Sequence, residues 1–303
     1  TGIKKVAVVG AGMSGLTAAH RLTQNNLDVT LFEARDRIGG RIWTDKRLGF
    51  PLDLGASWIH GTNGNPIFKM GKELEQRLIP TGDDYIIRGR GGRKIAQKDA
   101  PDWLEEVISI QHSAGANLDQ INQWGYLFVK EFGGADVIFQ DGFADIFEAL
   151  EGNYKTHVNT VVNEIRNTVD GVILGLDGKV NQLFDSVLVT VPLGVLKQGK
   201  INFYPELPAR KRKAINRLGM GTLDKVYLLF DEPFWDLSNT WIVTPENDLP
   251  PGQFNQWLNL HRYIGKPVIM AFNGGPPALT LAALSDEEVV ERALKTIYSA
   301  YSS

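Results

Sequence analysis

Three glycines with G-x-G-x-x-G spacing, Gly10, Gly12 and Gly15, lie near the start of the chain. They follow the β-branched run of residues 5–9 and open a segment whose apolar residues have helical spacing. In such a loop the first glycine permits a tight turn, the second lets backbone approach a pyrophosphate, and the third lets helix and strand pack closely. Unpaired N–H groups at the helix N-terminus, around Ser14, then bind phosphates. The spacing therefore predicts a dinucleotide site.

An acidic residue stands at the position from which such a site binds a ribose. Glu33 comes 18 residues after Gly15, at the end of a second β-rich run. A carboxylate there favours a ribose 2′-hydroxyl over a 2′-phosphate, which indicates NAD or FAD and not NADP. The alternative is a glycine-rich turn of an α/β protein that binds nothing.

The segment EARDRIGGR, residues 33–41, continues the predicted site. Gly39 and Gly40 allow the chain to fold back over the phosphates. Arg41 then brings a planar, permanently charged guanidinium group to the pyrophosphate.

With these motifs the sequence resembles the flavin-containing amine oxidase family, whose members carry an EAxxRxGGR segment after the first βαβ unit. Three later stretches resemble family signatures too: FGGADVIFQDGFADIFEAL at 132–150, VTVPLGVL at 189–196 and LDKVYLLFDEPFWD at 223–236. The phrase GASWIHG at 55–61 is most similar to the branch that oxidises spermine and acetylated polyamines.

The resemblance implies non-covalently bound FAD, and a cofactor tethered through cysteine is excluded because the chain has no cysteine. Val162 is expected to contact the adenine through its backbone. The full set of expected FAD-binding residues is Gly10, Gly12, Ser14, Gly15, Glu33, Ala34, Arg35, Gly40, Arg41, Gly55, Ala56, Ser57, Trp58 and Val162.

The reaction that the resemblance implies is a hydride transfer from the carbon beside an amine nitrogen to flavin N5. Water hydrolyses the resulting imine, and dioxygen reoxidises the flavin and yields hydrogen peroxide. Lys225 aligns with the family lysine that holds a water near N5, and burial of such a lysine would lower its pKa. The alternative is that Lys225 points to solvent from an alternating strand.

His60 is the second expected catalytic residue, placed by the resemblance close to the amine. An imidazole there could hydrogen-bond a substrate nitrogen or change charge near neutral pH. The alternative is a turn residue bonded to nearby backbone. The other histidines, at 20, 112, 157 and 261, show no metal-ligand spacing, so we expect no metal site.

Two other functions stay open at this point. The first is a monoamine or L-amino acid oxidase, because the fold and the flavin motifs are shared and only the His60 turn favours polyamines. The second is a non-catalytic interaction module, or a demethylase-like subunit, that keeps the flavin fold for a protein partner.

The pattern of elements predicts an α/β protein, α+β overall, in which a Rossmann-like FAD-binding domain is interleaved with a substrate domain of mixed sheet and helices. We expect residues 1–70 and 142–205 to form the FAD-binding domain and residues 71–141 and 206–303 the substrate-binding domain. Strands are predicted at 52–59, 156–166, 171–176, 186–191, 223–230 and 266–272, and a helix with a capping box at Ser285 and Glu288.

Composition narrows the partners. The net charge is only −3, and 43% of the residues are apolar against 22% charged, so we expect no nucleic acid as a partner. The resemblance implies a small amine and dioxygen as the partners. No apolar run is long enough to span a bilayer, which predicts a soluble protein of the cytoplasm or the peroxisome. The chain begins at Thr1, which leaves a trimmed leader open, and composition does not decide the oligomeric state.

Members of the family usually continue beyond the position that matches Ser303, into a last FAD-contacting segment with a Gly-Glu pair. No such segment is found here, and the interval between His60 and residue 132 is short for the family. We therefore expect this chain to be a fragment or a condensed form, with weakened flavin binding and doubtful activity on its own.

Overall fold

The computed structural model of the chain describes residue 2, residues 4–122 and residues 130–302. It divides into two compact units, each built from three segments. Unit 1 contains Thr1–Ile59, Gly64–Leu78 and Asp141–Gly219, and unit 2 contains His60–Asn63, Ile79–Gln140 and Met220–Ser303. The FAD-binding and substrate-binding roles assigned to the predicted domains stay predictions, and residues 123–129 of the second lie outside the described residues.

The strands are short, with two to seven residues each. In chain order they are β1 (Lys5–Val9), β2 (Asp28–Phe32), β3 (Thr44–Asp45), β4 (Leu52–Asp53), β5 (Trp58–Ile59), β6 (Leu78–Pro80), β7 (Tyr85–Arg88), β8 (Lys94–Ile95), β9 (Val137–Phe139), β10 (Lys155–His157), β11 (Val162–Thr168), β12 (Gly171–Leu176), β13 (Gln182–Phe184), β14 (Ser186–Val189), β15 (Asn202–Tyr204), β16 (Leu223–Leu229), β17 (Trp241–Val243), β18 (Gln253–Asn259) and β19 (Val268–Gly274).

The α-helices are α1 (Met13–Gln24), α2 (Pro66–Glu73), α3 (Trp103–Glu105), α4 (His112–Ala114), α5 (Leu193–Lys197), α6 (Ala209–Arg217), α7 (His261–Ile264), α8 (Pro276–Leu281) and α9 (Asp286–Ser299). A π-helical stretch, Glu106–Gln111, joins α3 to α4. Short 3₁₀ turns occur at Arg90–Gly92, Gln97–Asp99, Leu118–Gln120 and Phe143–Leu150.

Unit 1 is built on a parallel sheet with the strand order β10-β2-β1-β14. The predicted βαβ unit is confirmed, since β1 and β2 pair in parallel and α1 connects them. The apolar side of α1, with Leu16 and Ala19, packs on Val8 and Leu31 in a buried cluster. A strand-helix alternation with every strand parallel is the Rossmann arrangement that the sequence predicts.

A second sheet of unit 1 has the order β13-β12-β11-β15. Strands β11, β12 and β13 are antiparallel neighbours, and β14 then rejoins the parallel sheet beside β1, as the sequence predicts. The two sheets share an apolar core in which Ala7 and Phe32 pack with Ile165 and Leu174.

Two predicted strands of unit 1 are wrong in extent. The strand predicted over 156–166 is two strands, because Asn159 adopts a positive φ of 49° and the amides of Asn159 and Thr160 donate to the carbonyls of Arg35 and Glu33. The strand predicted over 52–59 is interrupted between β4 and β5, since Ala56 donates its amide to the Arg41 carbonyl.

Unit 2 contains a mixed six-stranded sheet with the order β16-β19-β18-β17-β7-β8. The strands predicted at 223–230 and 266–272 are its antiparallel neighbours β16 and β19. One face of the sheet packs, through Ile242, Trp257 and Ile269, against Ala293 and Ile297 of α9. The predicted capping box of α9 is confirmed, since Ser285 and Glu288 each accept the backbone N–H of the other.

Candidate functional site

The glycine loop joins the end of β1 to the start of α1 in unit 1. Gly10 has a φ of 104°, which a residue with a side chain rarely adopts. A Cβ at Gly15 would lie 1.8 Å from the Gly10 carbonyl oxygen, so helix and strand can approach this closely only with glycine here. Gly10 and Gly15 therefore have the tight turn and the close packing that the glycine spacing predicts.

Gly12 differs from the other two glycines because a Cβ there would meet nothing within 4 Å. It is the N-cap of α1, it has no side-chain cap, and the first turn of α1, which contains Ser14, holds no acidic residue. The helix therefore presents uncapped N–H groups with a partial positive charge toward an open space. This cradle fits a pyrophosphate.

The Glu33 side chain is fixed beside the loop. Its Oε2 accepts the Ala11 N–H at 2.8 Å and its Oε1 accepts the Arg35 N–H at 2.9 Å. An ionised carboxylate has about four acceptor positions, so both oxygens can accept further hydrogen bonds. The carboxylate, with exposed Ala34 and Arg35 next to it, fits the hydroxyls of a ribose.

The Gly39-Gly40 turn lies against the glycine loop. The Gly39 N–H donates to the Ala11 carbonyl at 2.7 Å, and a Cβ at Gly40 would lie 3.2 Å from the Gly12 Cα. Arg41, which follows, is exposed and has no carboxylate within ion-pair distance in the described part of the chain. Its charge is available for a phosphate group.

Arg37 holds this turn in place, and the sequence motif alone did not assign it a role. Its guanidinium donates to the carbonyls of Ile38, Gly40 and Ile42 and lies 4.6 Å from the ring centre of Trp43. Burial and the nearby charge of Arg35 lower the pKa of Arg37. Arg37 is thus a positioning residue for Gly40 and Arg41.

At Gly55 the backbone lies very close to the backbone of Arg41. Gly55 begins the stretch 55–58, which is expected to bind FAD. A Cβ at Gly55 would lie 1.9 Å from the Arg41 carbonyl oxygen, which only glycine allows. The Ala56 N–H donates to that carbonyl, and the Ser57 hydroxyl donates to the Asp53 carbonyl at 3.3 Å. Trp58 begins β5 and is partly buried. The structure therefore brings this stretch beside Arg41.

The residues just before Val162 lie next to Glu33 in the candidate site. Thr160, two residues before Val162, donates its amide to the Glu33 carbonyl at 2.8 Å. Val162 itself is buried and opens β11. Thr190, in the VTVPLGVL stretch, was not predicted either, and its hydroxyl donates to the carbonyls of Val9 and Gly10.

His60 and its turn belong to unit 2. Its Nδ1 lies 2.7 Å from Asp136 Oδ2, while Asp136 Oδ1 accepts the Gly61 N–H at 2.9 Å. Gly61 has a φ of 70°, and a Cβ there would clash with the Phe132 carbonyl. The imidazole is 77% exposed, and it contacts the Asp136 carboxylate at the surface of unit 2.

Lys225 lies in β16 directly opposite Phe272 of β19. Its Nζ is 6.0 Å from the Phe272 ring centre, and that ring also contacts Trp241 and His112. The neighbouring residue Val226 packs on the core at the other face of the sheet. Lys225 is therefore partly buried beside the Phe272 ring.

Two titratable residues in this region, Asp224 and His112, have a shifted pKa. Burial raises the pKa of Asp224. Burial also lowers the pKa of His112, whose Nδ1 lies 2.8 Å from Gln256 Oε1. His112 is therefore neutral at pH 7, and the described residues contain no cluster of His, Asp and Glu that could hold a metal ion.

Comparison with known proteins decides the family. A profile of the family described as flavin containing amine oxidoreductase matches residues 13–121 and 114–302. The chain belongs to this family. Among relatives, a probable polyamine oxidase 4 of Arabidopsis thaliana is 31% identical over 93% of this chain and 68% of its own length. A lysine-specific histone demethylase 1 homolog of the same plant is 31% identical over 98% of this chain but 42% of its own length.

A solved structure of putrescine oxidase, redesigned in its cofactor binding, superposes with a TM-score of 0.70. It covers 99% of this chain and 82% of that chain at 19% sequence identity, so the likeness concerns the fold. The cofactor of this amine oxidoreductase family is FAD. The open space at Gly12 and the fixed Glu33 carboxylate fit its pyrophosphate and ribose. None of the helices in the described part of the chain is long and apolar enough to cross a membrane.

Proposed function

We propose that this flavin-containing amine oxidoreductase oxidises polyamines. The observation that carries the proposal is the contact of Asp136 with His60 on the GASWIHG turn, the stretch whose sequence favours the polyamine branch. The similarity to a polyamine oxidase over 93% of the chain supports the same substrate class. Bound FAD would accept the hydride from the carbon beside the substrate nitrogen, and dioxygen would reoxidise it.

The residues proposed to hold FAD are those of the glycine loop, the Glu33 carboxylate and the Arg41 guanidinium. Gly55 to Trp58 would border the flavin, and the Val162 backbone would border the adenine. The local contacts that support this are the Gly39–Ala11, Ala56–Arg41 and Thr160–Glu33 backbone hydrogen bonds, which hold these segments next to one another.

His60 is proposed to bind a substrate ammonium group. Its side chain is 77% exposed, and that of Asp136 is 45% exposed, so both are accessible to a substrate. The Asp136 carboxylate fixes the imidazole orientation and adds a negative charge that favours a polycation over a neutral or anionic substrate. An L-amino acid, with its own carboxylate, would gain less at this position.

Lys225 is proposed to hold the water that takes part in the oxygen reaction. An ammonium group beside the ring of Phe272 is less hydrated than one in bulk solvent, so its N–H groups are available to a bound water. Its place in a strand fixes its position, which catalysis requires.

The test is a substrate panel read by peroxide release. Spermine, spermidine, N-acetylated polyamines, benzylamine, L-amino acids and a dimethyl-lysine histone peptide would be compared at equal enzyme and FAD concentrations. We expect kcat/KM for a polyamine to exceed that for benzylamine by about a hundredfold or more, as for a site built to bind additional charges. A preference for benzylamine or L-amino acids would assign a different oxidase, and preference for the peptide would assign a demethylase.

A non-catalytic flavin module is separated from all of these by absorbance. The purified chain with added FAD should show flavin bands that bleach when spermine is added without oxygen. Bound flavin that no amine bleaches would contradict the proposed activity.

A further inference from the structure

A strongly basic stretch lies on unit 1, away from the predicted cofactor residues in sequence. Residues 196–217, called here the basic segment, contain one acidic residue, Glu206, in a chain whose net charge is −3. All of its cations are exposed: Lys197, Lys200, Arg210, Lys211, Arg212, Lys213 and Arg217. The charge of this segment is thus opposite in sign to that of the whole chain.

Most of these cations are not neutralised within unit 1. Arg212 pairs with Glu206, and Lys197 donates to the Asn216 carbonyl at 3.1 Å. In the part of the chain that the structure describes, the other five have no carboxylate within ion-pair distance. No residue of α6, which carries Arg210 to Lys213, is buried. The segment therefore presents a concentrated positive field to solvent.

A groove with a mixed apolar and polar lining runs beside these charges. Its volume is about 310 Å³, and its walls come from β15 and from one side of α6, where Arg212 and Ile215 lie one turn apart. Leu196, Ile201 and Phe203 contribute apolar surface to it, and Glu206, whose charge is paired with Arg212, contributes polar surface. A groove of this size holds a large apolar side chain. Arg212 lines the groove, and Lys211 and Lys213 flank Arg212 on the same helix.

The strand that lines the groove is the edge of its sheet. β15 pairs with β11 on one side, and within the described residues no strand pairs with its other side. An edge strand has backbone N–H and C=O groups that can hydrogen-bond an added extended peptide. A phosphate polymer or a lipid headgroup has no backbone amides to pair with such an edge and no apolar side chain to fill the groove.

We propose that the basic segment binds a partner protein through an acidic, extended stretch that carries one large apolar anchor residue. The carboxylates of the stretch would pair with Arg210, Lys211 and Lys213, and the anchor would enter the groove between Phe203 and Ile215. The charge complementarity and the free edge of β15 select this occupant. The proposal is independent of the amine that the enzyme oxidises.

The experiment measures anisotropy of a short fluorescein-labelled peptide of Glu and Asp with one central Phe, added to the full chain with FAD. Two matched peptides replace the Phe by Ser, or every Glu and Asp by Gln and Asn. We expect the first peptide to bind at least about tenfold more tightly than either control, which corresponds to about 1.4 kcal/mol. This comparison needs no protein variant.

Protein variants test the same surface from the other side. Arg210→Glu/Lys213→Glu should raise the Kd at least about tenfold. The control Arg21→Glu/Lys72→Glu, which reverses two exposed cations elsewhere on unit 1, should change Kd less than about twofold. Ile215→Asn should weaken the Phe peptide and leave the Ser peptide unchanged, with circular dichroism confirming the fold.

Several results would overturn the proposal. Equal binding of the Phe and Ser peptides would show that the groove does not bind the anchor residue. Equal binding to the two charge-reversal variants would show that the basic segment does not bind the acidic residues. Displacement of the peptide by a single-stranded oligonucleotide or by phosphatidylserine vesicles, each at lower concentration than unlabelled peptide, would assign a different partner. A dimer in sedimentation that Arg210→Glu/Lys213→Glu dissociates would assign the surface to a second copy of the chain.

Discussion

The imidazole of His60 and the carboxylate of Asp136 lie 2.7 Å apart, although 76 positions separate them in the sequence. The same carboxylate accepts the N–H of Gly61, so a single acidic residue fixes both the ring and the turn that carries it. A histidine held in this way keeps one orientation, which a flexible surface histidine does not. The GASWIHG turn therefore presents an imidazole in a fixed orientation.

If His60 binds the substrate ammonium group, His60→Ala should raise KM for spermine about tenfold, the loss of one hydrogen bond to a charged group. Asp136→Asn should raise KM in the same direction because the ring loses its fixed orientation. Steady-state peroxide assays measure both, and His20→Ala, in α1 of unit 1, is the control. FAD occupancy should stay near that of the wild type, and loss of FAD would instead show a structural role.

The two glycines at the start of α1 should respond differently to the same substitution. Gly12→Ala adds a methyl group in open space, so stability should change by less than about 0.5 kcal/mol while the Kd for FAD rises at least tenfold. Gly15→Ala forces the methyl group against the Gly10 carbonyl and should cost about 3 kcal/mol of unfolding free energy.

Urea unfolding of the apoprotein and fluorescence titration with FAD measure these two effects separately. Unchanged FAD affinity in Gly12→Ala would mean that the phosphates do not lie at this loop.

Lys225→Met should slow the reoxidation of reduced flavin by oxygen about tenfold or more, because the water would lose its donor. The rate of flavin reduction by substrate should change much less. Stopped-flow absorbance follows both half-reactions, and Lys295→Met, an exposed lysine on α9, is the matched control. Wild-type reoxidation in the Met variant would refute the role of Lys225.

The sequence predicted the local elements better than the contacts between distant segments. The structure confirms three elements whose patterns involve only residues close in the sequence. They are the βαβ unit, the strand at 171–176 and the capping box at Ser285. The strand predicted over 156–166 failed because its central residues bond to the backbone after β2, a distant partner that periodicity cannot reveal.

The same limit applies to the site. The glycine loop and Glu33 could be predicted because the motif itself encodes a backbone shape. Asp136 could not be predicted, because nothing in the sequence distinguishes it from the other acidic residues. Only the fold shows that it lies beside His60. Arg37 lay within a recognised motif, but its bonds to three carbonyls are visible only in three dimensions.

A partly buried ion pair of unit 2 should make stability depend on pH. Arg88 and Asp236 are each about 15% exposed, and Tyr301 also donates to the carboxylate. Burial alone would raise the pKa of Asp236, but the hydrogen bonds from Arg88 and Tyr301 outweigh it and hold the pKa below its usual value. The stabilisation is therefore complete above about pH 4, the usual aspartate range, and is lost as pH falls through the lower native pKa.

Asp236→Ala should accordingly lower the free energy of unfolding by about 3 kcal/mol at pH 7. The difference from wild type should shrink as the pH falls below about 4. Urea unfolding at several pH values measures this, and Lys69→Ala, which removes an exposed pair with Glu73, should cost less than about 1 kcal/mol. A difference that does not vary with pH would contradict the assignment to the carboxylate.

The interleaving of the two units has a consequence for synthesis on the ribosome. Val6 in β1 pairs with Ser186 in β14, and Trp241 in β17 pairs with Tyr85 in β7. During translation one edge of each early strand must therefore wait for a partner that emerges much later. The yield of native protein should depend on holdase chaperones and on slow elongation, even where the finished enzyme is stable.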